Sequence, residues 1–185
     1  GTNAERPGVL FEYIRRKRAE AAIDRACLAA ALAEAAELPV ATRLNLNVHA
    51  STLGRDVGFP GFLLDRAADA GIPPGLLVVE IVEHAPPLDV PAFRRALAEL
   101  REAGLTIALD DVGAGYASLE AVMEIRPEFI KVDRAFCAKI DEDPGRQHLL
   151  RALQSLADRI GARIIGEGLD TLEELETLGR IGIHF

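Results

Sequence analysis

A series of polar residues stands at the ends of short apolar runs: Asn47, Glu80, Asp110 with Asp111, Lys131 and Glu167. Asn, Asp and Glu offer hard oxygen ligands, which suit Mg²⁺ or Mn²⁺ better than zinc. The adjacent Asp110 and Asp111 could serve two neighbouring ions. Carboxylates gathered without a cation repel one another and hold their protons, so a bound cation is expected. Two such ions can activate a water and stabilise a leaving oxygen in phosphodiester hydrolysis. Lys131 could steady the attacking water or the charge developing on phosphate, and Glu167 could be a further ligand or hold that water. Each residue also has an ordinary reading. Asp110 could cap a turn with Asp111 solvated, Lys131 could be an exposed strand-end lysine, and Glu83 could start a helix. The argument rests on the series, because successive parallel strands of a β/α barrel end on one face.

The elements that must position these residues follow from the hydrophobic pattern. Leu10 to Leu38 is rich in Ala, Leu, Glu and Arg without Gly or Pro, which predicts one long helix ended by Pro39. Arg43 to Val48 alternates polar and apolar, as a strand does. A short helix follows from Phe62 to Ala70, and then a Pro73-Pro74-Gly75 turn. Leu76 to Val82 is a nearly continuous apolar run, the mark of a buried parallel strand. Asp89 caps a helix from about Pro91 to Ala103, and Thr106 to Asp110 is the next strand. A short helix near Ser118 to Glu124 precedes a strand from Phe129 to Val132. Asp143-Pro144 starts a helix that ends near Gly161, and Arg163 to Gly166 is a strand. Thr171 and Glu174 form a capping box for the next helix, and Ile181 to Phe185 reads as the opening of one more strand. This alternation implies a parallel sheet covered by helices, either doubly wound or closed into a barrel.

Composition narrows the function. The net charge of −8 speaks against general nucleic-acid binding, which needs a basic surface. The basic run Arg15 to Arg18 reads as a solvated helix face. Cys27 and Cys137 lack metal-ligand spacing and are read as small core residues in a reducing compartment. His49, His84, His148 and His184 show no ligand spacing and are read as structural or surface residues. No apolar run reaches membrane-spanning length and no signal peptide is visible, so a cytoplasmic location is expected.

The motifs resemble a known family. Asp110 to Leu119, DDVGAGYASL, closely resembles the DDFGTGYSSL signature of EAL domains. Glu80-Ile81-Val82-Glu83 is similar to the family's E-[IL]-T-E strand end. Asn47 to Ala50 is similar to its NxS segment, Ile130 to Phe136 to LKIDRSF, and Gly166 to Thr171 to AEGVET. The order and spacing agree along nearly the whole chain, so it reads as a single EAL-like domain. The resemblance implies a modified TIM-type (β/α) barrel that hydrolyses cyclic di-GMP to the linear dinucleotide with two Mg²⁺ or Mn²⁺ ions. It further implies that Asn47, Glu80 and Asp110 bind the first metal, and that Asp111, helped by Asp110, binds the second. Lys131 would contact the catalytic water and Glu167 would complete the metal and water site. Glu83 would hold the loop from Val112 to Leu119, with Gly113 and Gly115, which in the family couples substrate binding to dimerisation; a homodimer is implied. Asp133 would support the second metal or Lys131.

Two departures bear on activity. The Glu-Ala-Leu strand that names the family has no counterpart here. Glu12 to Arg16 has the E-x-x-x-R spacing, but it lies inside the helical run and too close to Asn47. The family's Q-G-x-x-F segment would begin at Phe185. The chain is therefore expected to lack the first strands and the end of the last. It is expected to show little turnover alone, with hydrolysis a property of the parent protein. The alternatives are an inactive EAL-like domain that serves as a cyclic di-GMP receptor or protein-interaction module, and an unrelated Mg²⁺-dependent barrel enzyme.

Overall fold

The structure, a computed structural model, describes residues 7–39, 41–82, 89–113 and 119–183. The chain forms two compact units, Gly1–Leu77 with Pro86–Leu105, and Val78–Ala85 with Thr106–Phe185.

The first unit contains helices α1 (Pro7–Lys17) and α2 (Glu20–Ala35), strand β1 (Leu44–His49), and helices α3 (Ala50–Arg55), α4 (Phe59–Asp69) and α5 (Val90–Glu102). Leu32, Leu53, Phe59, Leu63, Phe93 and Leu100 form its dry interior. Two polar ties join α2 to the segment after β1. Arg25 donates from Nε to Asp56 Oδ2 at 2.6 Å and from Nη2 to Oδ1 at 2.9 Å, and stacks 4.5 Å from the Phe62 ring centre. Asp24 accepts from the Thr52 hydroxyl and from the His49 N–H. His49 itself caps α3, its Nδ1 accepting from Ser51 N at 3.1 Å, which agrees with a structural role. Asp89 caps α5 as expected, accepting from Ala92 N at 2.9 Å.

The second unit is built on parallel strands in the order β2 (Leu77–Val82, all but its first residue), β3 (Thr106–Val112), β4 (Phe129–Val132) and β5 (Arg163–Gly166). Its helices are α6 (Leu119–Ile125), α7 (Arg134–Cys137), α8 (Pro144–Ile160) and α9 (Leu172–Ile181). Ile81, Ile107, Leu109, Ile130, Cys137, Ile140 and Leu178 are buried in it. Leu77 to Ile81 of β2 are buried, Glu80 among them at 5% exposure, and Val82 is half-buried. Gly161, left-handed at φ 77°, closes α8, and the Thr171–Glu174 capping box opens α9.

Several expectations are corrected. The long N-terminal helix is two helices, and α2 stops at Ala35 rather than Leu38. The break is a Schellman-type end to α1. Arg18 takes the left-handed φ of 54°, and the Ala19 N–H returns to the Ile14 carbonyl at 3.1 Å. Glycine usually marks that position, and its absence hid the turn. Helices α3 and α7 were not expected; both are short, and α3 buries Ala50 to Gly54, the polar Ser51 and Thr52 included. Ile181 ends α9 instead of opening a strand, and Gly182 at φ 95° turns the chain; residues 184–185 lie outside the described residues. Cys137 is buried as expected, whereas Cys27 is exposed. The buried stripe of α2 runs through Leu28 and Leu32, and Cys27 stands about 100° around the helix from Leu28.

Replacing Arg18 by glycine should stabilise the chain. The left-handed conformation costs a non-glycine residue about 1–2 kcal/mol, against about 0.5–1 kcal/mol of extra glycine entropy. A net gain of about 0.5–1 kcal/mol in urea unfolding is expected, and a lower midpoint would contradict the assigned turn. Burial pushes the Asp24 carboxyl above its ordinary 3.8, while the hydrogen bonds from Thr52 and His49 pull against that rise. A carboxyl whose folded pKa is raised contributes stability at low pH that is lost as pH rises through the folded value. The stability of the unaltered chain should therefore fall as pH rises above 3.8, and Asp24→Asn should flatten that fall, as read from denaturation midpoints across pH.

Candidate active site

The site begins with strand register. Glu80 is level with Ala108, Leu109 with Ile130, and Lys131 with Ile165. Side chains on one face recur every second residue. Glu80 on β2, Asp110 two residues past Ala108 on β3, Lys131 on β4 and Glu167 two residues past Ile165 therefore share one face of the sheet.

Asp111 would point to the other face of a regular strand. A bulge prevents this. Leu109 pairs with Ile130 and Val112 with Val132, so Asp110 and Asp111 together oppose the single residue Lys131. Asp111 absorbs the extra length at φ 55°, a left-handed conformation that Asp tolerates better than most residues. As a result Asp110, Asp111 and Glu167 each present a ligand oxygen within 4.8 Å of the others.

Lys131 sits among the carboxylates. Its Nζ lies 3.0 Å from Glu80 Oε2, 3.0 Å from Asp110 Oδ1 and 2.7 Å from Glu167 Oε1. The Asp110 contact is an ion pair by distance but is not aligned as a hydrogen bond, and that oxygen is buried with no hydrogen-bond partner. Burial alone would lower the lysine pKa. The contacts with Glu167, Asp110 and Glu80 outweigh it and raise the pKa above its ordinary 10.5. A raised lysine pKa contributes stability in full below 10.5 and loses it only at higher pH, so the ammonium stays charged throughout the neutral range.

The cluster holds four carboxylates against one ammonium, which leaves it net negative. The all-oxygen donor set, with an Asp110 oxygen that is buried beside the lysine ammonium but accepts no hydrogen bond, fits a divalent cation of the Mg²⁺ or Mn²⁺ kind. Opposite ligands of a magnesium ion stand about 4.2 Å apart, twice the usual ~2.1 Å metal–oxygen distance. The Asp110, Asp111 and Glu167 oxygens, all within 4.8 Å of one another, are spaced on that scale.

Glycines shape the approach to the site. A Cβ on Gly166 would meet Leu178 Cδ1 at 2.8 Å and Cys137 Sγ at 3.4 Å. Gly168 has φ 68°, and the Arg134 stem lies 2.6 Å from where its Cβ would be. Glu167 thus stands between two residues whose backbone is packed against neighbours too closely for any side chain. Gly113, at φ 104°, lies under the Phe136 ring at 2.5 Å from such a Cβ.

The other expected residues fall elsewhere or beyond view. Asn47 is on the exposed side of β1, between buried Leu46 and Val48, in the first compact unit. Asp133 caps α7, its Oδ1 accepting from Ala135 N at 2.7 Å. Glu83 and Gly115 lie outside the described residues. Sequence reasoning did not assign Arg134 or Cys137 to the surroundings of Glu167. Arg134 falls within the segment that resembles LKIDRSF and Cys137 just beyond it, but neither the motif nor the spacing says that they pack against the glycines beside Glu167.

The family model for the EAL domain matches residues 1–185, and the chain belongs to that family. It is 34% identical over 111 residues to the cyclic di-GMP phosphodiesterase PdeL of Escherichia coli, covering 59% of this chain and 30% of that protein. It is 30% identical over 142 residues to the cyclic di-GMP phosphodiesterase PA2567 of Pseudomonas aeruginosa, covering 77% of this chain and 24% of that protein. The chain thus spans less than a third of the length of these curated relatives. Among solved structures it is similar to a manganese and cyclic di-GMP complex of Klebsiella pneumoniae BlrP1, with TM-score 0.80 and 30% identity over 88% of this chain and 42% of that one. It is also similar to the EAL domain of Mycobacterium smegmatis DcpA, with TM-score 0.70 and 31% identity over 76% of this chain and 62% of that one. The fold is accordingly the TIM-barrel-like α/β fold of EAL domains.

Lys131→Met should destabilise the chain in chelator by about 3 kcal/mol, because removing one partner of a buried ion cluster leaves the others uncompensated. Added Mn²⁺ should raise the thermal midpoint of this variant more than that of the unaltered chain. Equal midpoints in chelator would show that the lysine does not hold the cluster together.

Proposed function

We propose that this chain, read as a single EAL domain, supplies the metal-dependent phosphodiesterase site with which the complete protein hydrolyses cyclic di-GMP to the linear dinucleotide. The single observation that carries the reading is the gathering of Glu80, Asp110, Asp111 and Glu167 around Lys131. The names of the relatives supply the substrate class.

In this reading Glu80, Asp110, Asp111 and Glu167 hold the ions. When bound, the ions supply Lewis acidity at the phosphate and a water acidic enough to attack at neutral pH. Lys131 carries a permanent positive charge into the site, matched to the negative charge that grows on the phosphate oxygens. Its three carboxylate contacts keep that charge in place before substrate arrives. Glu167 is the most open of the three, with its side chain 35% exposed against 7% for Glu80 and 14% for Asp110. It is the group best placed to orient a water arriving from solvent, while Glu80 anchors the deep end. Asp133 orders the start of α7 just after the Lys131 strand, and Gly113, left-handed at φ 104°, lets the chain leave β3 under the Phe136 ring. A homodimer and a cytoplasmic setting complete the proposal; they rest on the family resemblance and on the reducing environment suggested by the cysteines. No helix among the described residues is long and apolar enough to cross a membrane.

Hydrolysis of cyclic di-GMP by the complete protein with Mg²⁺ or Mn²⁺, followed by chromatography of the linear product, tests this reading. Asp110→Asn and Glu167→Gln should each lower kcat by about 100-fold or more, the scale of losing a group that acts on transition-state charge. Turnover unchanged in both variants would refute the assigned site.

A further inference from the structure

Glu174 makes more contacts than a capping box requires. A capping-box glutamate at the third helical position returns to the N-cap N–H. Glu174 does so, with Oε2 accepting from Thr171 N at 3.1 Å. The same oxygen also accepts from Asp170 N at 2.7 Å. The other oxygen, Oε1, leaves its own helix and accepts from Lys139 N at 2.6 Å. Lys139 lies on the connection between α7 and α8 and holds a left-handed φ of 55°. The residue is only 4% exposed, so these bonds form away from bulk water. A buried carboxylate satisfied by three backbone donors binds rigidly to all three.

The segment it clasps is the one that carries Glu167. From Gly166 to Thr171 the chain is held on one side by α7, through Cys137 under Gly166 and the Arg134 stem over Gly168. Arg134 also pairs with Asp170. Leu178 of α9 closes the underside of Gly166. Glu174 joins these supports, because one carboxylate bonds both the Glu167 loop and the connection that leaves α7. We infer that Glu174 is a positioning residue for Glu167: it locks the loop after β5 to the α7–α8 connection and so fixes where the Glu167 carboxylate meets the metal and Lys131. The inference rests on the proposed metal site and adds to it a residue outside the ligand set.

The expected consequence is a change in metal affinity out of proportion to stability. Removing groups that orient metal ligands weakens binding about 10–100-fold. Mn²⁺ affinity of the full chain is measured by calorimetry, with far-UV circular dichroism as the check on folding. Glu174→Ala should weaken Mn²⁺ binding about tenfold or more. Glu174→Asp, which keeps the charge at the start of α9 but cannot reach both loops, should also weaken it. Glu174→Gln, which keeps the reach and one acceptor oxygen, should retain more affinity than either. Asp89→Ala removes the cap of α5 in the other compact unit and serves as the control; it should lower the thermal midpoint and leave Mn²⁺ affinity unchanged. Where the alanine variant fails to fold, the aspartate variant decides. Wild-type affinity in Glu174→Asp overturns the inference alone, whereas no Mn²⁺ binding by the unaltered chain overturns it together with the proposed site.

Discussion

Lys131 and the carboxylates around it set the terms for the second unit. Several acids placed together on one sheet face repel one another, and burial strengthens that repulsion. An ammonium at 2.7 to 3.0 Å from three of them makes the arrangement tolerable before any metal binds. Its positive charge does not cancel the cluster, so the site keeps an attraction for divalent cations. Because the lysine remains charged through the neutral range, a bound ion would share the carboxylates with a charged ammonium.

The cluster depends on a local defect in β3. A regular strand would send Asp110 and Asp111 to opposite faces. The bulge opposite Lys131, with Asp111 in a left-handed conformation, brings both to the same mouth. Sparsely populated backbone conformations cost energy and persist where surrounding structure imposes them. Here the imposing structure is the continued pairing of Val112 with Val132 directly after the bulge. Gly166 and Gly168 serve the neighbouring strand in a related way, because the backbone on either side of Glu167 lies against Leu178, Cys137 and Arg134 with no room for a Cβ.

Much of this was legible in the residue order. The strands β2, β4 and β5, the caps at Asp89, Asp143 and Thr171, and the polar strand ends all carry local signals that survive into the structure. The failures are also local. Arg18 turns the chain where glycine is the usual marker, and α3 buries Ser51 and Thr52, polar residues for which no helix was expected. Cys27 was misplaced because one position of rotation on a helix separates a buried face from an exposed one. Glu174 was recognised as half of a capping box, but the partner of its second oxygen lies 35 residues away in the chain and leaves no trace in spacing.

The sequence by itself determined which residues are acidic or basic at the strand ends, the period of each element, and the family to which they belong, because these are properties of short windows and of their order. Only the tertiary structure decided that Glu80, Asp110 and Glu167 reach one ammonium, that Asp111 joins them, and that Glu174 spans two loops. Those outcomes depend on inter-strand register and on one extra residue in a strand, and neither is encoded in any single segment: each arises when separate segments pair and the backbone of one must stretch or bulge to fit the other.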